Sequence, residues 1–248
     1  MNDLNLNDDL KSNEIRLQLY LAKYANVSRR KAQNFIESGE VKVNEKVEYA
    51  CYYRVQPHDK VKLNEKLIEP ITVKHEVWLF YKPVGVLCSS YDPLGRPCAY
   101  QYIPTKKRIY TIGRLDYNSC GLLLLTNDGE FTNRVMHPSN NIIKQYQVTT
   151  TTPINNFFLK KFLKGFSING IKYRIVTYSM VNAYTVNLWL NEGKNREIRK
   201  IFEFHNIKIG QLKRVAIGGL SLGNLKPGEY RRLTKKELDL IFQMNLKA

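Results

Sequence analysis

The chain has 248 residues, 43% of them apolar, which suffices for one large domain or two smaller ones around a buried core. Lys and Arg number 39 against 22 Asp and Glu, a formal charge of +17 that points to a polyanionic partner. The excess is uneven, +1 over residues 1–70 and +16 over residues 71–248, and no stretch reaches the ~20 apolar residues of a membrane-spanning helix.

Residues 1–13 are polar, rich in Asn and Asp, and predicted to be a flexible end without the apolar core of a signal peptide. Ile15, Leu17, Leu19 and Leu21 with Ala22 and Tyr24 read as a short apolar helix. Ser28 caps a second helix that buries Ala32, Phe35 and Ile36 and ends at Gly39. VKVNEKV (41–47) and VKLNEKL (61–67) repeat one alternating pattern with Asn-Glu at the turn, so they read as strand-turn segments of a small sheet. Arg29, Arg30 and Lys31 fall in the first turn of the second helix, where the helix dipole disfavours cations. A bound phosphate reverses that sign, and a solvated, salt-screened run explains the three equally well.

Residues 14–68 thus form one module, 69–76 (EPITVKHE) a linker, and 77–248 a second domain. VWLFY (77–81) is a continuous apolar strand followed by a tight KPVG turn. Further strands are predicted at 121–126, 142–149, 173–178 and 183–190, and helices at 130–136, 157–164, 195–205 and 235–244. Thr234 and Glu237 stand at capping-box spacing before the last helix. Without strict alternation of strand and helix, the second domain is α+β on a largely antiparallel sheet.

Familiar catalytic signatures are missing. There is no Walker loop or dinucleotide fingerprint, and His58, His75, His137 and His205 show no metal spacing. Cys51, Cys88, Cys98 and Cys120 fit neither a zinc pair nor a disulfide framework and read as reduced, buried thiols of a cytoplasmic protein. Chemistry therefore rests on carboxylates, Tyr, Lys and Arg. In GRLDYNSCGLLLLTNDGE (113–130), Asp116 stands at the lip of a leucine-rich buried strand, where a carboxylate requires a partner. Arg114 is one candidate, and a plain Arg–Asp staple is the simplest account on those residues alone. In HPSNNIIKQYQV (137–148), Lys144 and Tyr146 share one face of a strand. EGKNREIRK (192–200) enters a helix whose inner stripe is Ile198, Ile201 and Phe202, with Arg196, Arg199 and Lys200 off it.

SRRKAQNFIESGEVKVN resembles the S4-type RNA-binding module over residues 14–67. The three segments above, with YKPVGVLCS (81–89) and LKRVAIGGLSLGNLKPGEYRRLTKKEL (212–238), resemble successive motifs of ribosomal RNA pseudouridine synthases of the RsuA/RluB type. That family joins an S4 module to an α+β catalytic domain with a mixed, largely antiparallel sheet flanked by helices. Two departures are small: Ser119 where Thr is usual, and Lys200-Ile201 where Arg followed by Met or Leu is common.

The resemblance implies isomerisation of uridine, in which the base leaves the ribose through nitrogen and returns through carbon, without cofactor or metal. It implies Asp116 as the ionised catalytic aspartate, acting as nucleophile or base, and Arg199 as its ion-pair partner. Arg114 would contact the RNA, and Tyr146 would stack beneath the extruded uracil. Lys144 would meet phosphate or close a second ion pair. Arg29, Arg30 and Lys31 would face RNA. Lys106, Lys107 and Arg108, the densest basic run of the second part, would line the RNA path or form a mobile solvated loop. The expected partner is ribosomal RNA, 23S favoured over 16S, or an assembling ribosomal particle, met by a monomer away from membranes. The rival reading is a non-catalytic RNA-binding assembly protein with the same fold. A glycosidase-like hydrolase is disfavoured, because Asp128 and Glu130 read as turn and helix-cap residues rather than a second acid.

Overall fold

A computed structural model describes residues 14–243; the flexible end expected over residues 1–13 lies outside them. The chain separates into two compact units, one ending at Lys74 and one beginning at His75.

In the first unit, β1 (Ile15–Arg16) leads into α1 (Leu17–Tyr24), α2 (Arg29–Glu37), β2 (Val41–Val43), β3 (Lys46–Val47), β4 (Arg54–Val55), β5 (Val61–Leu63) and β6 (Lys66–Leu67). Ile15, read as helical, instead starts a two-residue strand paired with Val55, because its apolar neighbours close the module from β4. The Ser28 hydroxyl caps α2 by accepting the Lys31 N–H at 3.0 Å, and Ala32 and Ile36 are fully buried. The repeated heptapeptides are two hairpins of one antiparallel sheet ordered β3-β2-β5-β6. Asn44 with Glu45, and Asn64 with Glu65, all take positive φ, as a two-residue hairpin of the primed type requires. Lys42 and Lys62 lie directly opposite in register, a repulsive placement relieved by exchange. Lys42 pairs with Glu65 at 2.5 Å and Lys62 with Glu45 at 2.7 Å, each glutamate coming from the other hairpin's turn.

The second unit runs β7 (Val77–Lys82), β8 (Tyr110–Ile112), β9 (Cys120–Thr126), α3 (Gly129–Met136), β10 (Lys144–Thr150), α4 (Phe157–Lys164), β11 (Phe166–Ile168), β12 (Ile171–Tyr173), β13 (Thr177–Asn182), β14 (Thr185–Leu190), α5 (Glu197–Phe204), β15 (Ile209–Ile217), β16 (Leu220–Ser221), β17 (Tyr230–Arg232) and α6 (Lys235–Leu240). Its main sheet is ordered β13-β14-β10-β15-β9-β7-β17, with β8 beside β9 and β16 beside β15. Only the β9–β15 pair is parallel, so the sheet is mixed and largely antiparallel among the described residues. The strand expected over 173–178 is split: β12 ends at Tyr173 and β13 begins at Thr177, because Ile175 dives into the core between a small hairpin and the main sheet. Strands β8, β11, β15, β16 and β17 lie outside the sequence-based expectations. α6 ends at Leu240, short of the expected 244, and Met244 lies outside the described residues.

Leu122–Leu125 explain the sheet's position. Leu122 and Leu124 pack on one face with Phe131 and Val135 of α3 and with Ile241. Leu123 and Leu125 pack on the other with Trp78, Phe80, Ile109 and Leu115. That second face continues across β10 and β14 into a separate cluster of Val148, Leu188, Phe158 and Phe162 with Ile198, Ile201 and Phe202 of α5. Tyr146 touches both clusters, so it marks the seam between them.

Candidate active site

Asp116 sits in the turn just before β9. Its carbonyl accepts the Ser119 N–H at 3.0 Å, closing a four-residue β-turn. Arg199, from the first turns of α5, reaches across the seam to this turn. Its Nε lies 3.5 Å from Asp116 Oδ2, while Nη2 donates to the Asn118 carbonyl at 2.8 Å and to the Ser119 hydroxyl at 3.0 Å. The Arg199 side chain is 12% exposed and that of Asp116 34%, so the cation is desolvated while the carboxylate stays open to a ligand. Arg114, the other candidate partner, is exposed and forms no ion pair with Asp116. Ser119 supplies the hydroxyl that Arg199 uses.

α5 is entered under strain. Arg196, its N-cap, takes φ 52 in the left-handed region, which is uncommon for a residue with a Cβ. The turn is stapled by Glu197, whose Oε2 accepts the Lys194 N–H at 3.1 Å, and Arg196 is tied to Glu203 at 3.0 Å. Ile198, Ile201 and Phe202 anchor the helix's inner stripe, which aims Arg199 along the seam.

Beneath the seam the register lines up a row of polar residues. Lys82 on β7 pairs with Gly121 on β9, Gly121 with Arg214 on β15, and Arg214 with Tyr146 on β10. Gly121 has φ +106, and a Cβ there would lie 2.2 Å from the Arg214 carbonyl oxygen, so only glycine admits β15 this close. Lys82 is fully buried, and its Nζ donates to the carbonyls of Pro83 and Val86 at 2.8 Å each. These bonds fix the 83–86 turn, whose Gly85 N–H binds the Tyr117 carbonyl at 2.9 Å, next to Asp116. Burial pushes the Lys82 ammonium below the usual lysine range, and Asp116 is among the charges opposing that shift.

Arg214 is 3% exposed; its Nε donates to the Leu122 carbonyl at 2.8 Å, and its Nη2 has no hydrogen-bond partner. Lys144, two residues before Tyr146, reaches only the Asn191 carbonyl, at 3.5 Å, and does not close an ion pair. Burial, then repulsion from Arg214, pushes its ammonium below the usual range, with Glu197 opposing. Glu197 is 4% exposed, its Oε1 lacks a partner, and burial pushes its carboxyl up.

Arg29, Arg30 and Lys31 are exposed at the start of α2, with Lys31 over the Phe35 ring at 5.4 Å. Lys106 is exposed, Arg108 lies over Tyr110 at 5.8 Å, and Lys107 is taken up at 2.8 Å by the buried Glu76. That bond, with Arg232 adding to it, holds the Glu76 carboxyl below its usual range and ties Lys107 inward, away from a mobile loop. Cys98 and Cys120 are buried thiols, whereas Cys51 and Cys88 are only half-buried. Cys88 Sγ accepts the Leu115 N–H at 3.3 Å, beside Asp116. Among the described residues no group of His, Cys, Asp and Glu is arranged to hold a metal ion, and no helix is long and apolar enough to cross a membrane. Sequence reasoning missed Lys82, Arg214, Glu197 and the Ser119 contact. Arg214 left no usable signal, since a cation at the inward position between Leu212 and Ala216 breaks the apolar alternation of β15.

Comparison with known proteins decides the lineage. Residues 76–204 match the RNA pseudouridylate synthase family and residues 15–67 the S4 domain. The chain belongs to the RNA pseudouridine synthase family. This synthase is 35% identical to an uncharacterized RNA pseudouridine synthase of Rickettsia typhi, over 93% of this chain and 96% of that one. It is also 35% identical to the ribosomal large subunit pseudouridine synthase B of Bacillus subtilis, over 90% and 93% of the two chains. The synthase superposes on a crystal structure of a pseudouridylate synthase with a TM-score of 0.67 at 27% identity, covering 92% of this chain and 99% of the other. The S4-plus-synthase architecture implied by the sequence motifs therefore holds.

Proposed function

We propose that this pseudouridine synthase acts on ribosomal RNA, large-subunit RNA before small-subunit RNA, with Asp116 as the nucleophile or base that attacks the ribose. The observation that carries the reading is the Asp116–Arg199 pair, an accessible carboxylate with a desolvated counter-ion at the seam marked by Tyr146. A uridine within a helix hides its glycosidic bond, so the target must be flipped out, at a cost of a few kcal/mol repaid by backbone contacts. Tyr146 supplies the stacking surface for the extruded base, and exposed Arg114 meets the RNA beside it. Arg29, Arg30 and Lys31 grip phosphate from the S4 module, and Lys106 and Arg108 extend the path. Support for ribosomal RNA comes from the names of the relatives in Bacillus subtilis and, at 34% identity, Shigella flexneri, both ribosomal large subunit pseudouridine synthase B. The reading places the enzyme in the cytoplasm, as a monomer meeting free RNA or an assembling particle.

Asp116→Asn tests it. Pseudouridine formation in a transcribed rRNA fragment is expected to vanish while RNA binding stays nearly unchanged, and undiminished turnover overturns the role. Carbodiimide mapping of rRNA from cells with and without the gene names the uridine through a missing primer-extension stop, and an unchanged map in both subunits overturns the substrate.

A further inference from the structure

The charges along this sheet face and the seam are not balanced. Lys82, Arg214, Lys144 and Arg199 are cations held in or against the protein interior, and Asp116 and Glu197 are the acids among them. Buried charge is costly unless paired. Arg199 forms an ion pair with Asp116, though its Nε makes no hydrogen bond there, and its Nη2 has two acceptors on the turn; Lys82 is satisfied by two carbonyls. Arg214 and Lys144 have no ion pair among the described residues: Nη2 of Arg214 has no hydrogen-bond partner, and the Lys144 ammonium has a single long contact. Glu197 is the acid that opposes the shift at Lys144, yet its Oε1 has no hydrogen bond and burial favours its neutral form. Both cations share the sheet face of Tyr146, one directly opposite it and one two residues along its strand.

The reaction creates a charge that answers this surplus. When the bond between ribose C1′ and uracil N1 breaks, its electron pair leaves with the base, which becomes an anion spread over N1 and its carbonyl oxygens. The base then turns, C5 bonds to C1′, the C5 proton departs and N1 takes up a proton, so the product is an isomer with no net gain or loss. A fixed cation beneath the ring stabilises the charged interval and has little to act on in neutral uridine, the condition for lowering a barrier rather than merely tightening binding.

We propose that Arg214 and Lys144 form a cationic floor under Tyr146 that stabilises the detached uracil anion. The floor acts through its field across low-dielectric protein, in which an uncompensated charge is felt over several ångströms. Gly121 lets β15 come close enough to hold Arg214 there. The inference rests on the uridine-isomerising function proposed above.

The test compares Arg214→Gln, Arg214→Lys and Lys144→Met on two transcripts of the rRNA fragment, one made with uridine and one with 5-fluorouridine, whose fluorine stabilises the base anion. Consumption of the target nucleoside is followed in single turnover by chromatography of the digest, with RNA affinity and melting temperature measured alongside. On uridine RNA, Arg214→Gln and Lys144→Met are expected to slow turnover by about 10²- to 10³-fold with affinity changed less than about threefold, and Arg214→Lys by less. On fluorinated RNA the losses are expected to be distinctly smaller, because the leaving base needs less help. If Arg214→Gln fails to fold, the same difference is read from Lys144→Met. Equal losses on both transcripts would overturn the floor, since a merely structural defect does not sense the leaving group. A wild-type protein inert toward both transcripts overturns the proposed function itself, a result distinct from an active wild type with equal losses in its variants.

Discussion

Arg199 grips both the Asp116 carboxylate and the turn that carries it, through Nε at 3.5 Å and through Nη2 to the Asn118 carbonyl and the Ser119 hydroxyl. Nη2 thus fixes the turn that carries the carboxylate, while the guanidinium charge balances Asp116 across 3.5 Å. α5 packs in one apolar cluster and Leu115, next to Asp116, in another, so this contact joins the two clusters.

Arg199→Lys keeps the charge and loses the fork. Turnover is expected to fall about 10²-fold, since a small misplacement of the reacting group costs that much. Arg199→Ala should fall at least as far and lose roughly 0.5–1.5 kcal/mol of stability for each of the two hydrogen bonds it makes to the turn. Single-turnover kinetics with a thermal melt decide it, and a wild-type rate in Arg199→Lys would show that charge alone suffices.

Tyr146→Leu should retain the fold, because the residue is only partly buried between two clusters. Loss of the aromatic stack is expected to cost roughly 5- to 150-fold in rate, the equivalent of ~1–3 kcal/mol. Tyr146→Phe, which keeps the ring, should recover most of the stacking share. Wild-type kinetics in Tyr146→Leu refute the platform.

Changing Arg29 and Arg30 together to Ala removes two exposed cations from the start of α2 without touching Ser28, Ala32 or Ile36. RNA affinity should weaken, and the slope of log affinity against log salt should become shallower by roughly 0.7–0.9 for each phosphate left unneutralised. Filter binding across a salt series measures this. A slope equal to wild type takes that helix out of the interface.

Glu237 ties α6 to β17 through Arg231 at 2.7 Å and closes the capping box with Thr234. The Arg231 hydrogen bond, then the Thr234 N–H, holds its carboxyl at about 2, below the ordinary carboxylate range. Its folded-state pKa is depressed, so its contribution is present at pH values above the usual ~4.3 and is lost as pH falls through about 2. Glu237→Gln should therefore be less stable than wild type at neutral pH, and the gap should narrow in acid. Urea unfolding at neutral pH and near pH 3 compares them; a gap that does not change with pH removes Glu237 from the linkage.

The legible parts of this molecule are those whose signal is local. The two heptapeptides announced their hairpins because Asn-Glu turns and alternating Val-Lys need no information from elsewhere. α2 was readable from Ser28 and the spacing of Ala32 and Ile36. β15 was not, because Arg214 occupies an inward position and interrupts the apolar alternation by which a core strand is recognised. Ile175 hid the break between β12 and β13 for the opposite reason, since an apolar residue in a connector looks like part of a strand.

Sequence alone determined the chemistry available: a basic chain with one aspartate at the lip of a leucine strand, and motifs in the order of a known enzyme family. The family motifs implied Arg199 as that aspartate's partner, and only the tertiary structure brings it there across 83 positions in place of its near neighbour Arg114. It also gathered Lys82, Arg214 and Lys144 from three strands onto one face. Strand register and helix packing set those distances, and both depend on contacts between segments far apart in the chain.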